Sequence, residues 1–141
     1  MALIWSKQMS VANESIDIEH KQMLDQVNDI ERTIRARDPA RLLQAFELFE
    51  QSVRLHFMNE ARLARTIDYP FDQHRLEHRY VLKELETMKE ELLAKNGKWS
   101  ESEAEYYLSF LSEWATVHIR EDDMKMKALL ETYPYDFKPP L

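Results

Sequence analysis

The chain contains no cysteine and only one glycine, Gly97, in 141 residues. Without cysteine there is no thiolate nucleophile and no thiolate ligand, so any metal must be held by nitrogen and oxygen donors, and the redox compartment stays open. Scarcity of the main turn-forming residue disfavours turn-rich β architecture and favours long helices joined by few tight turns. No apolar run approaches the ~18 residues of a membrane span, and Met1-Ala2-Leu3-Ile4-Trp5 is too short for the apolar core of a signal peptide. The expectation is a cytoplasmic protein with no membrane span. A basic excess is missing too. The 19 Lys and Arg against 26 Asp and Glu leave a formal charge of -7, which argues against nucleic acid as a partner because phosphate contacts need clustered cations.

What is present is a chain 44% hydrophobic and 32% charged, long enough to bury one core without staples and short enough for one domain, 1–141. Residues 1–17 lack helical periodicity and carry Trp5, Met9 and Val11 as scattered anchors, so they read as an extended arm. Asp17 is a plausible N-cap for a first helix over about 18–37, whose apolar stripe includes His20. Asp38-Pro39 combines an N-cap with proline at the first helical position and opens a second helix over 39–66. A third helix over about 71–95 ends at Asn96-Gly97. Ser100 and Glu103 form a capping box that starts a fourth helix over about 101–131, followed by a short C-terminal tail. These signals predict an all-α fold, an up-down-up-down four-helix bundle with an extended N-terminal arm.

The histidines stand out against this pattern. His56 and Glu60 lie on a stripe with Phe46, Phe49, Val53 and Leu63 spaced by threes and fours, where the period calls for apolar residues. His74 and His78 do the same between Phe71 and Val81, and His118 follows Ala104, Tyr107, Leu111 and Trp114. A lone histidine on such a stripe is usually structural. Here all five histidines of the chain fall on inward faces beside a carboxylate whose unpaired burial would cost several kcal/mol. A bundle-core metal site accounts for this most simply. If two ions each take about six ligands, about twelve positions exist; five imidazoles, two bridging carboxylates and one bridging oxygen leave one open. One open position at one ion suits reversible binding of a small ligand better than multi-substrate chemistry.

Trp5-Ser6, Ile16-Asp17-Ile18-Glu19-His20-Lys21, His56-Phe57-x-x-Glu60, Tyr69-Pro70, His74-x-x-x-His78 and Trp114-x-x-x-His118-Ile119-x-x-x-Asp123 resemble, in order and spacing, the haemerythrin family, specifically its single-domain bacterial members. The resemblance implies two iron ions in a non-haem, oxo- or hydroxo-bridged di-iron centre. His74, His78 and His118 would bind one iron, His20 and His56 the other, with Glu60 and Asp123 bridging. It further implies O₂ and small anions as ligands at the two-histidine iron, in a pocket of Phe57, Trp114, Ala115 and Ile119. Helical periodicity alone would choose Asp122 as the second bridge, because five residues from His118 is about 140° around an ideal helix. The family register chooses Asp123, and both hold only if the fourth helix is overwound, bulged or broken there, as π-bulges at functional sites allow. Departures from the family pattern are Ala61 after Glu60, Met126 where many relatives carry Tyr, and Ala115 where Leu is usual.

The function expected is reversible O₂ binding by a monomeric carrier, store or delivery protein that is not an enzyme. An O₂ or redox sensor domain and a di-iron oxidase or peroxide-handling enzyme are the alternatives. A sensor would carry a signalling module, and an oxidase would want more carboxylates and fewer imidazoles.

Overall fold

Asn13, not Asp17, starts the first helix. The computed structural model describes residues 2–140, with the side chain of Asp122 outside the described part. In it the Asn13 side chain accepts from the Ile16 amide, and α1 runs Glu14–Ala36, beginning four residues earlier than the periodicity predicts. Asp17 is unavailable as a cap because its carboxylate is already used. It accepts from the Val11 amide at 2.9 Å, from Ser10 Oγ at 2.5 Å and from the Tyr135 hydroxyl at 2.9 Å. The arm is therefore shorter than expected and carries a single 3-10 turn, Lys7–Met9. It is anchored by buried Met9 and Val11 and by Trp5, over whose ring Lys21 Nζ lies.

The second helix, α2, spans Pro39–Thr66, capped by the Asp38 side chain on the Arg41 amide, with proline in the first turn as its fixed φ favours. The third, α3, spans Asp72–Lys95 and leaves through Asn96 in the left-handed region. Gly97 follows at φ 84°, where a Cβ would stand 3.0 Å from the Arg37 carbonyl. The single glycine thus sits where both conformation and space require it. Ser100 caps α4, Glu101–Val117, through its hydroxyl on the Glu103 amide, and Glu103 accepts in return from the Ser100 amide.

The fourth helix is not continuous over 101–131. A π-helical segment, His118–Asp122, follows α4, then a 3-10 turn, Asp123–Met126, and a short helix α5, Lys127–Leu130. The tail beyond is non-helical, as the prolines predict, and is tied back onto the start of α1. The Glu14 amide donates to the Tyr135 carbonyl at 2.8 Å and Asn13 Nδ2 to the Phe137 carbonyl at 3.0 Å.

The chain forms a four-helix bundle with two apolar clusters. One, including Met23, Phe49, Val53, Phe57, Val81, Leu85, Ala115 and Ile119, fills most of the bundle. The other, including Val11, Ile16, Leu63, Phe71, Met126 and Leu130, closes one end. His20 lies between Ile16 of one cluster and Met23 of the other, His56 and Glu60 between Val53 and Leu63, His74 and His78 between Phe71 and Val81, and His118 and Asp123 between Ala115 and Met126. The sequence pattern therefore produces one polar layer enclosed by apolar packing on both sides, where low dielectric strengthens any electrostatic contact. Among the described residues, no helix is long and apolar enough to cross a membrane.

Candidate metal centre

That layer contains seven side chains, all buried: His20, His56, Glu60, His74, His78, His118 and Asp123. One donor atom from each of His20, His56, Glu60, His118 and Asp123 falls within 4.8 Å of all the others. His74 and His78 stand slightly further out. His74 Nε2 is 3.6 Å from Asp123 Oδ1, and His78 Nε2 is 3.8 Å from Glu60 Oε2.

Asp123 reaches the layer because the backbone is π-wound before it. Its amide donates to the His118 carbonyl, five residues back, and this wider turn brings Asp123 over His118 in a way that an α-helix would not. Asp123 Oδ2 then lies 2.5 Å from His20 Nε2, 3.1 Å from His56 Nε2 and 3.0 Å from His118 Nε2. Asp122, the alternative from ideal periodicity, has its side chain outside the described residues.

The two carboxylates divide their oxygens among the histidines. Glu60 turns Oε1 to His56 Nε2, in close contact, and to His118 at 3.3 Å, while Oε2 faces His78. Asp123 turns Oδ2 to His20, His56 and His118, and Oδ1 to His74. Each carboxylate therefore offers one oxygen toward the His20/His56 side and the other toward the His74/His78 side. His118 stands between, its Nε2 3.3 Å from that of His56.

Two features test whether these residues suit a metal. Glu60 Oε2, Asp123 Oδ1, His74 Nε2 and His78 Nε2 are buried without a hydrogen-bond partner among the described residues. Orphaned buried donors and acceptors are costly and call for an explanation. Second, neighbouring ligands on an ion bound at about 2.1 Å stand about 3 Å apart, and opposite ones about 4.2 Å. The separations of 3.0–3.8 Å between Asp123 or Glu60 and His56, His74, His78 and His118 lie in that range. The set fits a nitrogen- and oxygen-ligated cation.

Electrostatics point the same way. Burial pushes His118 down, but the charge of Asp123 and hydrogen bonds to Asp123 and Glu60 outweigh it and hold the imidazole up at about 10. Burial of His56 is likewise overcome by the Glu60 charge and by hydrogen bonds to Asp123 and Glu19, which raise it well above its ordinary value. Burial also opposes ionisation of Asp123, yet the charge of His118 and three imidazole contacts keep it well below the usual carboxylate range. His78 is depressed to about 4, chiefly by burial, and His20 is lowered for the same reason. Carboxylates held ionised among imidazoles attract positive charge, and a cation supplies it without protons.

Aromatic rings and a carboxylate enclose the ligands. Phe57 stacks on His78, with centroids 3.6 Å apart and planes within 2°, and Trp114 stacks on His118 at 5.3 Å. Of the residues expected to line a small-ligand pocket, Phe57, Ala115 and Ile119 are buried in the larger core cluster, and Trp114 is only partly buried against it. Behind His56, Nδ1 donates to Glu19 Oε1 at 2.7 Å, and Asn59 Nδ2 donates to Glu19 Oε2 at 2.7 Å. That bond fixes the tautomer that presents Nε2 to the layer. Sequence reasoning assigned no role to Glu19 or Asn59, since neither lies on an apolar stripe, and only the register of α1 on α2 brings them to His56.

Fold and layer together define a helical-bundle protein built to hold metal cations. Residues 11–130 match the family model of the hemerythrin HHE cation binding domain. The chain belongs to the haemerythrin family. A search among curated proteins finds no match.

Proposed function

We propose that the protein binds O₂ reversibly at a non-haem di-iron centre, as an O₂ carrier, store or delivery protein that is monomeric and not an enzyme. The observation that carries this reading is the donor balance of the buried layer. Five imidazoles meet only two carboxylates, and each carboxylate faces histidines on both sides. Such a set would hold two cations, with His20 and His56 serving one, His74, His78 and His118 the other, and Glu60 and Asp123 available to both. It leaves little room for the extra carboxylates and open positions of di-iron oxidases.

When bound, an iron pair supplies the two electrons that hold O₂ reversibly. The protein's part is to bind, orient and keep dry. Glu19 holds the His56 ring, the π-turn places Asp123, and Phe57, Ala115 and Ile119 exclude water from the layer. Exclusion of water limits proton leakage to a bound ligand.

Metal analysis with absorption spectra under air and under nitrogen tests the reading. The expected result is about two irons per chain and a visible charge-transfer band that appears with O₂ and disappears on its removal. One iron, zinc alone after expression with excess iron, or a band indifferent to O₂ would overturn it.

A further inference from the structure

α3 and α4 meet more loosely than α1 with α2, α2 with α3 or α1 with α4, and between them runs a groove rather than a packed seam. Three cavities follow one another along it. The first, of about 300 Å³, has Leu76, Tyr80 and Trp114 in its lining; the next, of about 310 Å³, shares Trp114 and adds Phe110; the last, of about 70 Å³, shares Phe110 and adds Tyr106. Leu76 and Tyr80 on α3, and Tyr106, Phe110 and Trp114 on α4, are spaced by fours, so each helix presents one apolar row to the groove. Leu76, Tyr80 and Tyr106 are 60%, 63% and 68% exposed. Single exposed apolar side chains are ordinary, but two rows of them along one groove mark an interaction surface. The carboxylates of the same lining are Glu77, Glu84, Glu91 and Glu113, and no Lys or Arg joins them. Glu77, Glu84 and Glu91 recur every seven residues and so edge the groove along α3. Glu77 accepts from Gln73 at 3.3 Å and Glu91 from Tyr107 at 2.8 Å, both neutral groups. The Lys and Arg pairs with glutamate among the described residues all involve other glutamates.

We infer that the α3/α4 groove docks a basic amphipathic helix carried by another protein. Along α3 the groove runs from Leu76 to Glu91, about 22 Å, which matches about four turns of a partner helix. Such a helix would set large apolar side chains, spaced by threes and fours, between the two rows, and would bring Lys or Arg on its flanks to the four unpaired carboxylates. Charge decides against the other occupants. A second copy of this chain related by a two-fold axis would place these glutamates against their own copies, and an anionic membrane surface would meet the same repulsion. The inference does not depend on which metal the buried layer holds.

Calorimetric titration of the full, metal-loaded chain with a synthetic helical peptide of about 18 residues, Leu on one face and Lys on the other, tests this. The expected result is saturable binding of a single peptide per chain. The same peptide with Glu for Lys, and one with the same Leu and Lys ordered so that no apolar face forms, should bind about 10-fold more weakly or worse. Leu76→Ser combined with Tyr80→Ser, and separately Glu77→Gln combined with Glu84→Gln and Glu91→Gln, should each weaken binding of the Lys peptide about 10-fold or more. All five positions are at least partly exposed, so circular dichroism and metal content should match the starting protein. Asp25→Asn combined with Glu47→Gln and Glu131→Gln removes the same charge from exposed positions outside the groove and should leave the affinity nearly unchanged. Equal loss in the two charge triples would reduce the binding to general attraction by an acidic chain and overturn the site. Absence of binding, or full affinity in the Leu76 and Tyr80 double variant, would overturn it too. A dimer in sedimentation that Tyr80→Ser dissolves would assign the face to a second copy and refute the basic helix.

Discussion

Removing Glu19 should weaken the metal centre without touching a ligand. His56 is fully buried, and its Nδ1 has Glu19 Oε1 at 2.7 Å as its partner, while Glu19 is itself held by Asn59. In Glu19→Ala the imidazole loses a hydrogen bond to a charged group, worth about 1.5–3 kcal/mol. That corresponds to roughly 10- to 150-fold in an equilibrium constant, and losses of about 10–100-fold are usual for carboxylates that orient metal-bound histidines. The expected outcome for Glu19→Ala is therefore a loss of metal affinity of about 10–100-fold. Glu19→Gln keeps an oxygen acceptor but loses the charge, so its loss should be smaller, and Asn59→Ala, which only frees the carboxylate, smaller again. Competition between metal-free protein and a chromophoric chelator for Co²⁺ measures all three and does not depend on which metal the protein holds in the cell. Affinity in Glu19→Ala within about threefold of the starting protein would refute the reasoning, because it would leave the buried Nδ1 with no need of its partner.

Asp123→Ala removes the group shared by His20, His56 and His118 and should abolish metal loading, whereas Asp122→Ala should load normally and change stability by no more than about 0.5 kcal/mol; equal metal content in both variants would contradict the π-turn register. His118 is raised to about 10 in the metal-free layer and His56 is raised in the same direction by Glu60, Asp123 and Glu19, so at neutral pH His118 carries a proton that a cation must displace. Metal uptake at about pH 7 should release protons, and affinity should climb with pH toward about 10, since a raised folded-state pKa keeps the competing proton bound until then. Calorimetry in buffers of different ionisation enthalpy reads this, and uptake with no proton release would refute it. Ala115 is fully buried in the same cluster as Met23, Phe57 and Ile119. Ala115→Leu should slow autoxidation and azide binding at unchanged iron content, at a cost of about 1–3 kcal/mol from overpacking; stopped-flow rates equal to those of the starting protein would show that this position does not control the pocket.

The sequence by itself determined the helices and the layer. Helical periodicity is local, so the Phe46–Leu63 and Phe71–Leu92 stripes, the Asp38-Pro39 start, the Asn96-Gly97 stop and the Ser100/Glu103 box each act within a few residues. They place His20, His56, Glu60, His74, His78 and His118 inside before any contact between helices is known. Asp17 shows where local reading ends. As a cap it is as plausible as Asn13, and what excludes it is its engagement by Ser10, Val11 and Tyr135, the last 118 residues away. The continuous fourth helix fails for a related reason. The acidic run shows only a conflict, periodicity choosing Asp122 and the family register Asp123, and the π-turn that resolves it brings the Asp123 carboxylate to three imidazoles on other turns and helices. Glu19 behind His56 and the groove between α3 and α4 depend on how helices are set against one another. Register and separation between helices are decided by packing over the whole core, so only the tertiary structure could reveal them.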